Sequence, residues 1–146
     1  MARVTELTIR GYRSIKDQIT IRFPANAPLI MVGENNAGKT NILRAIDLIL
    51  GEYWPGSKEP EDHEFWQRDA VNGKIAITVK LDNLIGDAGT SLDGFIWSYD
   101  PQRDGKKCEF TARSKQGNPI NYVRNEWREQ CICVWVSADR SLSYHL

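Results

Sequence analysis

Gly33, Gly38, Lys39 and Thr40 occupy the four fixed positions of G-x-x-x-x-G-K-[ST] in the run Gly33-Glu34-Asn35-Asn36-Ala37-Gly38-Lys39-Thr40. This spacing suits phosphate chemistry. Glycines let the backbone close around an anion, and consecutive N–H groups across Asn35, Asn36, Ala37 and Gly38 form a nest that a helix N-terminus completes. Lys39 reaches the β- and γ-phosphates of a nucleoside triphosphate, where it stabilises transferring charge and is the candidate catalytic residue. The Thr40 hydroxyl is the candidate Mg²⁺ ligand, and Asn41 follows in the first helical turn.

Such a loop works only if a strand delivers it and a helix receives it. Leu29-Ile30-Met31-Val32 is a short apolar run of the kind expected for a central parallel strand buried on both faces. Downstream, Ile42, Leu43, Ile46, Ile49 and Leu50 recur at helical spacing, with Asn41, Arg44 and Asp47 on the polar side. Two half-buried strands are expected before the loop, since Leu7 and Ile9 alternate with polar residues, as do Ile19, Ile21 and Phe23. The stretch from Gly11 to Gln18 has the length of a hairpin connection.

After the helix, the polar segment from Lys58 to Asp69 reads as an exposed loop. Ile75, Ile77, Val79 and Leu81 mark an amphipathic strand that Gly86 to Thr90 breaks. Phe95, Trp97 and Tyr99, then Cys108, Phe110 and Ala112, mark two more strands around a turn at Pro101 to Gly105. These predict a largely antiparallel sheet beside the loop-bearing one. Asn118-Pro119 predicts a short helix pairing Val123 with Trp127, and the apolar run Cys131 to Val136 predicts a second central strand.

The chain has 146 residues, 41% of them hydrophobic, with 19 Lys plus Arg against 19 Asp plus Glu. That balance suits one folded domain and gives no global positive charge to advertise nucleic acid, although a local patch fits inside a neutral total. Cys108, Cys131 and Cys133 lack paired metal spacing and read as buried thiols. With no signal peptide and no long apolar stretch, the expectation is a soluble cytoplasmic protein with no membrane partner.

Hydrolysis needs more than the loop. It normally takes an acidic residue at the end of a neighbouring strand and a group that orients water. Asp139 follows an apolar run, but Arg140 succeeds it instead of a second carboxylate; the pair reads as a turn, or as part of an interface or site completed elsewhere. Asp62, His63 and Glu64 are adjacent in an acidic loop and read as solvated surface instead of convergent metal ligands.

Leu7-Thr8-Ile9-Arg10-Gly11-Tyr12-Arg13-Ser14-Ile15, the strand at 19 to 23 and the loop through Leu43 together resemble the opening of ABC-type ATPases of the SMC, Rad50 and RecF group. Within it the sequence resembles the OLD (overcoming lysogenization defect) family, with Val136-Ser137-Ala138-Asp139-Arg140 similar to a strand-and-Arg motif there. The resemblance implies an α/β P-loop NTPase fold, an ABC-ATPase-like first lobe with a mixed central sheet and an adjoining antiparallel sheet. It implies Arg13 as a residue approaching nucleotide phosphates, and ATP and Mg²⁺ as ligands. It also implies a homo-oligomer of ATPase heads, DNA and a possible partner protein acting through a longer parent, with a place in DNA repair or phage defence.

Residues 1–146 then correspond to the N-terminal part of such a head, a fragment or truncated product. Neither Leu-Ser-Gly-Gly, nor a Walker B strand, nor a Toprim nuclease domain is present in the sequence, and Ser141-Leu142-Ser143-Tyr144 is not the signature. Gln102 and Gln116 are both open as the family's Mg²⁺-contacting glutamine. The isolated chain is expected to bind nucleotide weakly and hydrolyse it poorly. The rival readings are a self-contained nucleotide-binding regulatory module and a small P-loop kinase or GTPase, the latter disfavoured by the two strands before the loop and the lack of Asn-Lys-x-Asp.

Overall fold

A computed structural model describes residues 2–27, 29–32 and 38–131. Its frame is a six-stranded antiparallel sheet in the order β2-β1-β3-β4-β5-β6. The strands are β1 (Arg3–Arg10), β2 (Ile19–Arg22), β3 (Ile75–Ile85), β4 (Ser91–Tyr99), β5 (Cys108–Ser114) and β6 (Pro119–Ile120). The helices are α1 (Lys39–Leu50) and the single turn α2 (Asn125–Arg128).

Alternation puts one side chain in two on a common face, and register lines those side chains into rows. One row runs Ile21, Leu7, Val79, Phe95, Ala112, Ile120 across all six strands; a second runs Ile19, Ile9, Ile77, Trp97, Phe110. Leu7, Ile9, Ile77, Val79, Phe95 and Trp97 have no exposed surface. β3 keeps its apolar face only by a bulge. Its pairing with β4 shifts between Lys80 and Leu84, Asn83 takes a left-handed φ of 60°, and both Leu81 and Leu84 are buried despite their odd spacing.

The α1 helix buries Ala45, Ile49 and Leu50 in the same core. Its first turn holds no acidic residue and its last turn no basic one. The C-terminal carbonyls are instead satisfied from 79 residues away. Arg128, 5% exposed, donates from Nε to Ile49 O (2.8 Å) and from Nη2 to Gly51 O (2.6 Å) and Tyr53 O (3.1 Å). Its Nη1 donates to Asn125 Oδ1, and the guanidinium lies 5.5 Å from the Trp54 ring centroid. Burial pushes its pKa below the ordinary arginine value, which the nearby Glu129 partly offsets.

Three expectations need correction. Leu29 to Val32 is not a strand: no described segment pairs with it, and Ile30 and Val32 are 76% and 86% exposed. Without a ladder, an apolar run has nothing to fix it in extended form. Cys131 is the first residue of the second expected central strand, and the rest of that run lies outside the described residues.

Lys58 to Asp69 is not simply an exposed loop. Its 3₁₀ turns at Asp62–Glu64 and Trp66–Arg68 flank Phe65, which is 2% exposed, bridges Tyr12 and packs edge-on against Tyr99 at 5.4 Å. One buried aromatic pins a segment whose composition is otherwise that of surface.

Pro119 opens β6 instead of a helix, and α2 begins only at Asn125, leaving Val123 outside it. The available ladder with β5 outweighed a weak local helix signal. The expected breaks at Gly86 to Thr90 and around Pro101 to Gly105 are present, the latter inside the β4–β5 turn.

Candidate functional site

Gly38, Lys39, Thr40 and Asn41 lie where the sequence places them, at the entrance of α1; Gly33, Asn35, Asn36 and Ala37 lie outside the described residues. Gly38 is left-handed at φ 89°, a conformation that costs glycine little, and its carbonyl accepts the Ile42 N–H at 3.2 Å. Lys39 and Thr40 form the first turn, with Lys39 partly buried and Thr40 exposed. Among the described residues, the α1 N-terminus carries no side-chain cap and its first turn no carboxylate to offset the positive end of the helix dipole.

The β1–β2 hairpin is brought against this entrance. Asn41 Nδ2 donates to Ser14 Oγ at 2.7 Å, and a Cβ added to Gly38 would stand 3.3 Å from the same hydroxyl. Asn41 therefore uses its side chain as a tether. Gly11 makes the hairpin possible: at φ 70°, a Cβ there would lie 2.1 Å from Lys74 O.

Arg13 follows at φ 53°, strained for a side chain of its size. Its N–H donates to Glu64 O at 2.8 Å, and its Nη2 lies 3.8 Å from Glu64 Oε1. The Glu64 carboxylate also receives Lys58 Nζ at 3.1 Å. Arg13 Nε is buried and has no hydrogen-bond partner among the described residues. An orphaned guanidinium N–H is a donor suited to an anionic oxygen.

Glu64 is the residue that sequence reading placed wrongly. It is 5% exposed and closes a 3₁₀ capping box with Glu61, whose N–H donates to Glu64 Oε2 at 3.3 Å. The E-x-x-E spacing from Glu61 to Glu64 was the available signal, since a glutamate at that place folds back on the turn. Nothing local in the sequence shows that Arg13 and Lys58 meet it.

A cavity of about 380 Å³ adjoins this cluster, walled by Tyr12, Arg13, Arg44, Trp54, Lys58 and Glu64 among others. Tyr12 is 2% exposed, and burial raises its phenol pKa, partly offset by its hydrogen bond with Arg13. Asp62 and His63 remain at the surface, with His63 Nδ1 3.3 Å from Glu61 Oε2. Gln102 lies in the β4–β5 turn, at the end of the sheet where Arg10 ends β1. Gln116 lies in the β5–β6 turn at the opposite end. Neither lines the cavity. Asp139, Arg140 and Cys133 are outside the described residues.

The three described loop residues, Gly38 to Thr40, fit a bound nucleoside triphosphate and Mg²⁺: a left-handed Gly38, a helix entrance without a side-chain cap among the described residues and a hydroxyl at Thr40, with an orphaned cationic donor at Arg13.

Comparison with known proteins agrees with this architecture. Residues 3–145 match the AAA ATPase domain family. The chain is 29% identical over 155 aligned positions to the OLD nuclease of Thermus scotoductus, covering 96% of this chain and 27% of that protein. It is 44% identical over 50 residues to the DNA replication and repair protein RecF of Rickettsia felis, covering 34% and 12%. It is also 36% identical over 52 residues to the chromosome partition protein Smc of Koribacter versatilis, covering 36% and 4%. The chain thus spans about a quarter of the OLD nuclease and smaller shares of the other two. A solved chain, from work on ATP-driven dimerization and DNA-stimulated activation of SMC ATPases, superposes with a TM-score of 0.51 at 20% identity. The match covers 86% of this chain and 75% of that one, and it shows a shared fold.

Proposed function

We propose, because this chain belongs to the AAA ATPase domain family and is an ATP-binding P-loop domain related to SMC, RecF and OLD proteins, that it is the nucleotide-holding lobe of a longer, OLD-like DNA-processing ATPase. The observation that carries the reading is the joining of two elements: the Asn41–Ser14 bond fastens the hairpin bearing Arg13 to the helix entrance bearing Lys39 and Thr40. Two distant sequence segments, each read as a phosphate contact, are thereby tied by one hydrogen bond.

In this reading Gly33 to Gly38 wrap the phosphates, and Lys39 balances charge on the β- and γ-phosphates. The orphaned Arg13 Nε gains an acceptor from a phosphate oxygen, while Glu64 and the Glu64 carbonyl hold Arg13 in its strained conformation. Thr40 would hold Mg²⁺, which when bound supplies electrostatic neutralisation of the triphosphate. Hydrolysis, head-to-head association, DNA engagement and any nuclease step belong to the intact parent, acting in the cytoplasm.

Isothermal titration of ATP and GTP with and without Mg²⁺ tests this. ATP should bind more tightly than GTP, more so with Mg²⁺, and Lys39→Ala should weaken ATP binding by about 10- to 150-fold. Equal binding of both nucleotides, or steady turnover by the isolated chain that Lys39→Ala removes, would sink the reading.

A further inference from the structure

A second cavity of about 320 Å³ is lined by a different set of residues: Arg10 and Lys16 at the β1–β2 connection, Trp66 and Gln67 from the 3₁₀ turn at Trp66–Arg68, and Asn72 and Lys74 before β3. Its charge is uneven. Three cations face one carboxylate, Asp69, and one oxygen of that carboxylate already accepts the Asn72 N–H at 3.1 Å. Lys74 is shared with Asp100 at 3.6 Å. The side chains of Arg10 and Lys16 are exposed and have no ion pair or hydrogen bond with any described residue. Cations left without acids in a chain of zero net charge make a local anion-attracting patch.

The backbone beside them is held under strain. Gln67 and Arg68 are consecutive non-glycine residues at φ 54° and 58°. The segment is pinned because Trp66 N–H donates to Gly11 O and buried Phe65 anchors it from below. Strain persists where surrounding contacts over-determine it, and it concentrates at ligand sites. Here it presents the half-buried Trp66 ring and the exposed Gln67 amide beside the two unpaired cations.

We propose that this cavity binds a segment of single-stranded nucleic acid, with Arg10 and Lys16 on consecutive phosphates, Trp66 as a stacking platform for one base, and Gln67 and Asn72 as hydrogen-bonding groups for base edges. Basic side chains around an aromatic ring are the chemistry that holds a strand with little sequence preference. The inference deepens the DNA-partner part of the reading above, on which it rests for the class of polymer, and it places that contact away from Lys39 and Thr40.

The test is fluorescence anisotropy of a 15-nucleotide labelled oligo-dT with the full chain, across a salt series. The wild type should bind. Arg10→Gln/Lys16→Gln should weaken binding at least tenfold at low salt and flatten the log–log salt slope by about 1.4, the counterions of two phosphates. Both residues are exposed, so the melting curve should not move. Trp66→Leu should weaken binding about tenfold and Trp66→Phe much less. Lys39→Ala should leave oligonucleotide binding intact, and Arg10→Gln/Lys16→Gln should leave ATP binding intact, which separates failure here from failure of the nucleotide reading. Four results would overturn the proposal: no binding by the wild type, an unchanged slope in the double variant, displacement by inorganic phosphate at matched phosphate concentration, or equal binding of duplex that ignores Trp66.

Discussion

Removing Arg128 should destabilise this protein more than its surface-type chemistry suggests. The side chain is 5% exposed and serves three backbone carbonyls at the end of α1 and just beyond it, Ile49 O, Gly51 O and Tyr53 O, at 2.8, 2.6 and 3.1 Å. A hydrogen bond to a charged group contributes about 1.5–3 kcal/mol. The three do not add fully, because water reaches the Tyr53 side of the cluster once the guanidinium is gone, and because burying the cation costs desolvation in the native state. Discounting on both grounds gives about 3 kcal/mol for Arg128→Ala, including the lost contact with Trp54. For a chain of this size that corresponds to a melting temperature about 10 °C lower. Arg128→Lys keeps the charge but offers no planar fork, so it should recover less than half of the loss. Urea titration followed by circular dichroism, with the slope checked for constancy, reads both. A loss below about 1 kcal/mol for Arg128→Ala, or full recovery by Lys, would refute the assignment of Arg128 as the distant cap of α1.

Other outcomes follow from the same contacts. Lys39→Ala should weaken ATP binding by about 10- to 150-fold, the equivalent of one charge-assisted contact, measured calorimetrically alongside a melting curve. Trp97→Phe should cost about 1 kcal/mol by removing one hydrogen bond to Pro55 O, which keeps the Lys58 N–H at 3.1 Å, read by urea denaturation. Arg124 and the hydrogen bonds it gives hold Asp87 below the usual carboxylate pKa. Stability from that group is therefore full above its unfolded value near pH ~4 and is lost as pH falls through the lower folded value; Asp87→Asn should flatten this acid limb. Burial raises the Cys108 thiol pKa, with Trp97 acting weakly the other way. Alkylation of Cys108 at pH 8 should be slow in the folded protein and fast in urea, followed by mass spectrometry.

Much of the sheet is legible in the sequence because alternation is a local signal. β1, β2, β3, β4 and β5 appear where period-2 patterning puts them, and α1 where helical spacing does. Legibility fails where a partner decides. Leu29 to Val32 has the composition of a buried strand but no described strand to pair with, so Ile30 and Val32 face water. The segment from Lys58 to Asp69 has the composition of a loop, yet Phe65 finds a site between Tyr12 and Tyr99 and pulls Glu64 inside. Asn118-Pro119 carries a helix signal that pairing with β5 overrides.

The same division holds at the candidate site. Four residues in one octapeptide determine that a phosphate can be held, since glycine backbone freedom, a lysine charge and a hydroxyl are properties of single residues at fixed spacing. Which distant groups meet Asn41 and Arg13 was for the tertiary structure to decide. Ser14 and Asn41 are 27 residues apart, and Arg13 meets Glu64, 51 positions further along a chain folded back by one buried ring. Contacts at that separation depend on which hydrophobic rows coincide across the sheet, a property of the whole packed core that no local window of sequence contains.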